Sequence, residues 1–279
     1  MIIFLTEMSN DYLLGGHVKL DEIYNAKFAT QCFITNNRAH MTSSRLANLK
    51  TSKRPFDGDL PRIAHCSYVT RPWSPNLQPR EESIRDIQLA TEACKHLNIQ
   101  YYLVHLPITV ESELFFTNCV KQFEPSCTLL FEIDSHNPNA KTHGLTMEPC
   151  NLLIKYNNLL SHSLDDYGIC LDTAHMFARG IPLTTAKDVK VMFAKFHSLP
   201  IKAIHLNGNK REFGSGSDVH TGIGEPDDYI WSKDMSGAIE IIKWGFKNKV
   251  PIILERKGLL ALGDYQNERT TLLNVVNRE

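Results

Sequence analysis

The sequence contains no CxxC pair, no surplus of either charge and no apolar run long enough to cross a membrane, and each absence removes a class of protein. Its seven cysteines, Cys32, Cys66, Cys94, Cys119, Cys127, Cys150 and Cys170, are widely scattered. An odd, scattered set reads as buried free thiols in a reducing compartment, not as a disulfide framework. Lys and Arg number 30 against 31 Asp and Glu, for a net charge of −1. Composition alone therefore gives no basic patch from which to infer a nucleic-acid partner. Met1-Ile2-Ile3-Phe4-Leu5 is apolar but short, lacks a basic lead and soon meets Glu7 and Asp11, so it is not read as a signal peptide. The expectation is an intracellular protein with no membrane partner, cytoplasmic or nuclear, since Lys53-Arg54 and Lys210-Arg211 are too sparse to mark nuclear import.

What is present is a repeated unit. A short apolar run, a polar loop and an amphipathic stretch recur along 279 residues, a length that suits one α/β barrel. The runs are Tyr12–Val18, Ala29–Thr35, Ile63–Ser67, Tyr101–Leu106, Thr128–Ile133, Tyr167–Thr173, Lys202–Asn207 and Pro251–Glu255. Continuous apolar runs of this kind suit parallel strands buried on both faces. Between them, Pro79–Leu97 places Ile84, Ile87, Ala90, Cys94 and Leu97 on one helical face, and Met147–Leu160, Thr185–His197 and Ser232–Lys247 repeat the pattern. Thr184 or Thr185 and Ser232 stand where N-caps belong. Eight such units predict a (β/α)8 TIM barrel of the α/β class, one domain over residues 1–279 with residues 1–10 as a short N-terminal extension. A doubly wound open sheet is the alternative, but it usually has fewer strands, and no glycine-rich βα turn follows the first run.

Six runs end in a potential ligand: His65, His105, Glu132, Asp172, His205 and Glu255. In a barrel these ends converge at the C-terminal mouth. A single His or Asp there is more often a cap, but six uncompensated polar groups around one mouth would be costly. Metal ions supply the compensation, and imidazole with carboxylate suits zinc. Asp172-Thr173-Ala174-His175 adds His175, and Asp218-Val219-His220 adds two more. Five histidines and four carboxylates could serve up to three ions, more comfortably if one carboxylate bridges. Paired ions about 3.5–4 Å apart can clamp both oxygens of an in-line phosphoryl displacement. Three zinc ions would also leave the mouth cationic, so an anionic substrate needs no basic composition.

Cys170–Gly180, His205–Gly208 through Gly214–Glu225, and Pro251–Glu255 together resemble the signatures of the endonuclease IV family of apurinic/apyrimidinic endonucleases. His65-Cys66-Ser67-Tyr68 and Phe33–Arg38 match earlier motifs, and the matches run in order from about Gly16 to Glu255. The resemblance implies three zinc ions: one on His65, His105 and Glu132; one on the bridging Glu132 with Asp172, His205 and Glu255; one on His175, Asp218 and His220. It implies hydrolysis of the phosphodiester 5′ to an abasic site in double-stranded DNA, leaving a 3′-hydroxyl, with removal of 3′-blocking groups as a further activity. Glu132 and Glu255 are the implied catalytic residues, Glu255 also orienting or deprotonating the attacking water. Arg38, Tyr68 and Val69 match positions that fill the gap left by a flipped nucleotide, and Lys210 and Arg211 could contact phosphates. Packing at a strand end and solvated loop charges are the ordinary accounts of the same residues.

The chain departs from the family pattern at Leu106-Pro107-Ile108, at Asp134-Ser135-His136, and at Val69, where a leucine is expected. A monomer is expected, since one mouth can hold the whole site. The main competing function is a xylose-isomerase-like sugar isomerase or epimerase, which needs one or two hard metal ions and mostly carboxylates. A catalytically dead DNA-binding protein would have lost ligands, and none is missing.

Overall fold

Eight short runs of branched and aromatic residues close into a parallel barrel in the computed structural model, which describes residues 10–107, 112–135, 149–258 and 260–278. The strands are β1 (Leu14–His17), β2 (Thr30–Phe33), β3 (Arg62–His65), β4 (Tyr101–Leu106), β5 (Thr128–Ile133), β6 (Tyr167–Asp172), β7 (Ile201–His205) and β8 (Ile252–Leu254). Each pairs with its sequence neighbour, and β1 closes on β8. The TIM barrel is thus borne out, and the open sheet is not what forms.

The helices are α1 (Ser43–Ser52), α2 (Leu77–Leu97), α3 (Glu113–Val120), α4 (Pro149–Ser161), α5 (Thr173–Ala178), α6 (Ala186–Lys195), α7 (Ser236–Asn248) and α8 (Leu262–Val276). Three of the four anticipated helices lie close to their expected spans, although Met147 falls outside the described residues. Thr185, rather than Thr184, caps α6, accepting from Asp188 N–H while the Asp188 carboxylate accepts from Thr185 N–H. Ser232 is not a cap: α7 begins four residues later, where the Asp234 carboxylate accepts from Ser236 N–H at 2.8 Å. The local Asp–Ser turn outcompetes the earlier serine because it satisfies a first-turn amide directly. The first crossover is a 3-10 turn, Leu20–Asn25, instead of an α-helix. Met1–Ser9, most of the anticipated extension, lie outside the described residues.

Large apolar side chains, among them Trp231, Tyr156, Tyr265 and Phe116, are buried to below 2% exposure. A second cluster fills the barrel itself: Ala29, Ile63, Leu103, Leu130, Cys170, Ala203 and Ile253, all fully buried. Among the described residues no helix is long and apolar enough to cross a membrane. Six of the seven cysteines are buried, and Cys127 is half-buried.

Candidate metal centre

Strand periodicity sets a polar ring above the apolar plug. Side chains two residues apart share a face, so each member of the plug is followed, one inward position higher, by a polar group: Gln31, His65, His105, Glu132, Asp172, His205 and Glu255. Gly15 and His17 repeat the step on β1. The plug excludes water from below, and the polar ring faces a cleft of about 1390 Å³.

The nine residues singled out from the sequence are brought together. His65, His105 and Glu132 form one group whose ligand atoms lie within 4.8 Å of one another, and Asp172, His205 and Glu255 form another. Glu132 links them, with one carboxylate oxygen 3.3 Å from His105 Nε2 and the other 3.2 Å from His205 Nδ1. Asp172, His175 and His220 form a third group, and the Asp218 carboxylate stands 3.6 Å from His175 Nε2 and 3.4 Å from His220 Nε2.

Hydrogen bonds decide which ring nitrogen His65 and His175 present. A backbone carbonyl only accepts, so His65 Nδ1, 2.7 Å from Cys66 O, carries the proton and leaves Nε2 free. His175 Nδ1, 3.0 Å from Ile133 O, does the same. His105 Nε2, Glu132 Oε2 and His220 Nε2 are buried yet make no well-aligned hydrogen bond, meeting only the longer contacts at 3.3 Å between His105 and Glu132 and 3.4 Å between His220 and Asp218. Unpaired buried polar atoms are rare because each costs about 1–3 kcal/mol. Three of them in one ring of imidazole and carboxylate fit metal ligation.

Electrostatics points the same way. Burial opposes ionisation of Glu132, but the charge of His205 and the close rings of His105, His175 and His205 hold its carboxyl well below the usual range. Burial likewise opposes a charge on Glu255, and His205 and His17 overcome it. Burial works against protonating His205, but the Glu255 and Glu132 carboxylates beside it raise its basicity. Burial beside His105 pulls His65 down to about 3, so that ring is a neutral ligand at physiological pH. Protons and a cation would compete for this pocket, as they do at metal sites generally. Cys170 also touches the Glu132 and His205 group, but burial pushes its thiol up to about 12, which leaves it inert packing.

At the rim, Tyr68 is 57% exposed, with its ring edge-on to Phe33 at 5.5 Å. Tyr68 N–H donates to Asn37 O at 2.9 Å, which sets the loop after β3 beside Arg38, itself exposed. Val69 is half-buried, and its carbonyl accepts from His40 at 3.1 Å. Lys210 is paired with Asp227 at 2.7 Å, while Arg211 is exposed. Lys19, Arg71 and Lys257, exposed along the cleft, went unnoticed in the sequence because each stands alone in an ordinary loop. So did the groups that hold the carboxylates. Asn207 donates to Asp172 at 2.8 Å and to Glu255 at 3.1 Å, and Ser135 donates to Asp218. The two-residue rule would have found His17 and Gln31. Of the departures from the family pattern, Ile108 and His136 lie outside the described residues, whereas Ser135 supports a carboxylate.

Residues 26–258 match the model of the xylose isomerase-like TIM barrel family. The apurinic-apyrimidinic endonuclease 1 of Plasmodium falciparum is 26% identical over 274 residues, covering 89% of this chain but 44% of that protein, so the chain spans under half its length. A probable endonuclease 4 of Nitrosopumilus maritimus is 27% identical over 267 residues, covering 86% of this chain and 88% of the relative. Among solved structures, endonuclease IV of Thermus thermophilus superposes with a TM-score of 0.67 at 17% identity, covering 95% and 97% of the two chains, a likeness of fold.

Proposed function

Because the chain belongs to the xylose isomerase-like TIM barrel family, with relatives of the endonuclease IV kind, we propose that it is a zinc-dependent endonuclease that cuts DNA 5′ to abasic sites. The observation that carries this reading is the His175, Asp218 and His220 group beside the strand-end ligands. A sugar isomerase of the same barrel needs one or two ions on mostly carboxylate ligands, and it has no use for a separate histidine-rich third group. Zinc would be held by His65, His105 and Glu132; by Glu132, Asp172, His205 and Glu255; and by His175, Asp218 and His220. Bound there, it would supply Lewis acidity, lowering the pKa of water and neutralising charge that develops on the phosphate.

The chain's own groups do the rest. Glu132, 1% exposed among three histidines, is a structural anion that keeps the ligand groups together. Glu255 is 15% exposed and faces the cleft, so its carboxylate can reach an attacking water and take its proton. Asn207 and Gln31 fix that carboxylate with amide hydrogen bonds of 3.1 and 2.6 Å. Tyr68, with Arg38 beside it, stands where a side chain can stack against bases next to an extruded abasic sugar, Val69 backing it from a half-buried position. Lys210 can exchange Asp227 for a phosphate at little cost, since exposed pairs are worth about 0–1 kcal/mol. Arg211, exposed in the same loop, adds a second cation. Removal of 3′-blocking groups would use the same centre, because it too breaks a phosphate ester at a DNA 3′-end. The chain would act as a monomer inside the cell, one mouth holding the complete site.

The test is a duplex carrying one synthetic abasic site, run beside an undamaged duplex and a panel of ketoses. Nicking of the abasic strand alone is expected; ketose turnover without nicking would favour the isomerase. Tyr68→Ala should weaken abasic-duplex binding by roughly 10–100-fold, the loss of one stacking partner worth about 1–3 kcal/mol. Affinity for undamaged duplex should change little. Equal weakening of both, in a titration at fixed salt, would make Tyr68 a general contact instead.

A further inference from the structure

Gln31 lies on β2, fully buried, with its amide under the ligand group of Asp172, His205 and Glu255. Its Nε2 is 2.6 Å from Glu255 Oε1 and 3.0 Å from His17 Nδ1, and its Oε1 is 2.8 Å from His205 Nε2. The carboxylate dictates which way the amide faces. Turning it over would set two acceptor oxygens against each other at that 2.6 Å separation, so the NH2 group must meet Glu255. The carbonyl oxygen is then left for His205. It can only accept, so His205 Nε2 must carry the proton.

We propose that Gln31 is a positioning residue for the middle metal group, fixing the Nε2–H tautomer of His205 and the aim of Glu255 through one amide. The proposal rests on the metal-dependent reading above. With Nε2 protonated, the neutral ring presents the lone pair of Nδ1. That atom faces Glu132 at 3.2 Å, Glu255 at 3.4 Å and Asp172 at 3.6 Å. Three carboxylates around one imidazole nitrogen define where a cation belongs. The opposite tautomer would point a proton into that place and withdraw the ligand. In the other groups His65 and His175 are held by backbone carbonyls, which no substitution can remove. His205 alone among these three depends on a side chain, so its tautomer is open to mutation.

Two measurements on the zinc-loaded protein test this: zinc content under competition with a chromophoric chelator, and long-range 1H–15N spectra of 15N-histidine-labelled protein. Wild type should hold about three zinc ions and show His205 protonated at Nε2. Gln31→Met fills the same space without either hydrogen bond. It should bind one equivalent roughly 10–100-fold more weakly, the usual cost of losing a group that orients a ligand, and leave the other two unchanged. Gln31→Glu keeps an oxygen opposite His205 and should keep the Nε2–H signature, while its second oxygen, set against Glu255 Oε1, removes the other contact and weakens the same equivalent of zinc. A merely structural glutamine would give no such split. The proposal is overturned if Gln31→Met holds its last equivalent as tightly as wild type with an unchanged His205 spectrum. If Gln31→Met does not fold, loss of the Nε2–H signature in Gln31→Glu overturns it. A wild-type protein that binds no zinc overturns the metal reading itself, and this inference with it. Three tightly held ions together with an unresponsive Gln31 overturn only the inference.

Discussion

Replacing Glu132 by Gln is expected to reduce nicking of an abasic duplex by at least about 10³-fold, at the upper end of what loss of one preorganised electrostatic group costs. The substitution keeps the shape and removes only the charge. Glu132 is fully enclosed and touches three histidines, with ring nitrogens of His105, His175 and His205 at 3.3, 3.1 and 3.2 Å. It belongs to the first ligand group and borders the second. Neutralising it should therefore release more than one ion, where loss of a peripheral ligand such as Asp218 should release one. Without metal, the same change strips the counter-charge from histidines whose basicity Glu132 helps to raise. Breaking a buried pair in this way costs about 3–5 kcal/mol, so the metal-free variant should also unfold at lower urea. Steady-state nicking with elemental analysis checks both effects. Normal nicking with a full metal complement would remove Glu132 from the centre.

Gly15→Ala is expected to lower stability by more than about 3 kcal/mol, beyond the common range for overpacking. A Cβ on Gly15 would lie 1.7 Å from the Ala29 carbonyl oxygen and 2.7 Å from its carbon. Both atoms are backbone, so no rotamer change relieves the clash. The residue sits on β1, where the barrel closes between β2 and β8. Separating β1 from β2 would break the ladder and displace His17 and Gln31 with it. Gly263, on α8, provides the control: a Cβ there meets nothing within 4 Å, and alanine should be neutral or stabilising. Urea unfolding of both variants decides the matter. A Gly15→Ala midpoint equal to that of wild type would mean that the strands tolerate separation.

The nine positions proposed as ligands were legible because six stand where an apolar run ends, His175 follows Asp172 by three residues, and Asp218 and His220 form a D-x-H pair in a loop, while barrel geometry turns run ends into a ring. His17 and Gln31 obey the same two-residue step from Gly15 and Ala29. They are easily passed over because glutamine is not a metal ligand and because the apolar run through β1 continues past His17 to Val18, so His17 does not stand out as a run end. Asn207 stood inside a quoted motif, yet its work depends on two carboxylates from β6 and the end of β8, which only the folded barrel brings within 3.1 Å. The start of α7 was misjudged at Ser232 because hydrophobic periodicity extends past the true boundary, which a turn at Asp234 sets. The pairing of Lys210 with Asp227 likewise arises from a loop that folds back over 17 residues, and no spacing rule reports it.

The central claim is a centre of three zinc ions that cuts abasic DNA, and metal content coupled to nicking tests it most directly. Protein purified without added chelator should contain close to three zinc ions per chain by elemental analysis. Stripping them should abolish nicking of a single-abasic duplex, and zinc should restore it. A reproducible content of one ion or fewer in protein that still nicks, or nicking that survives complete removal of metal, would contradict the account.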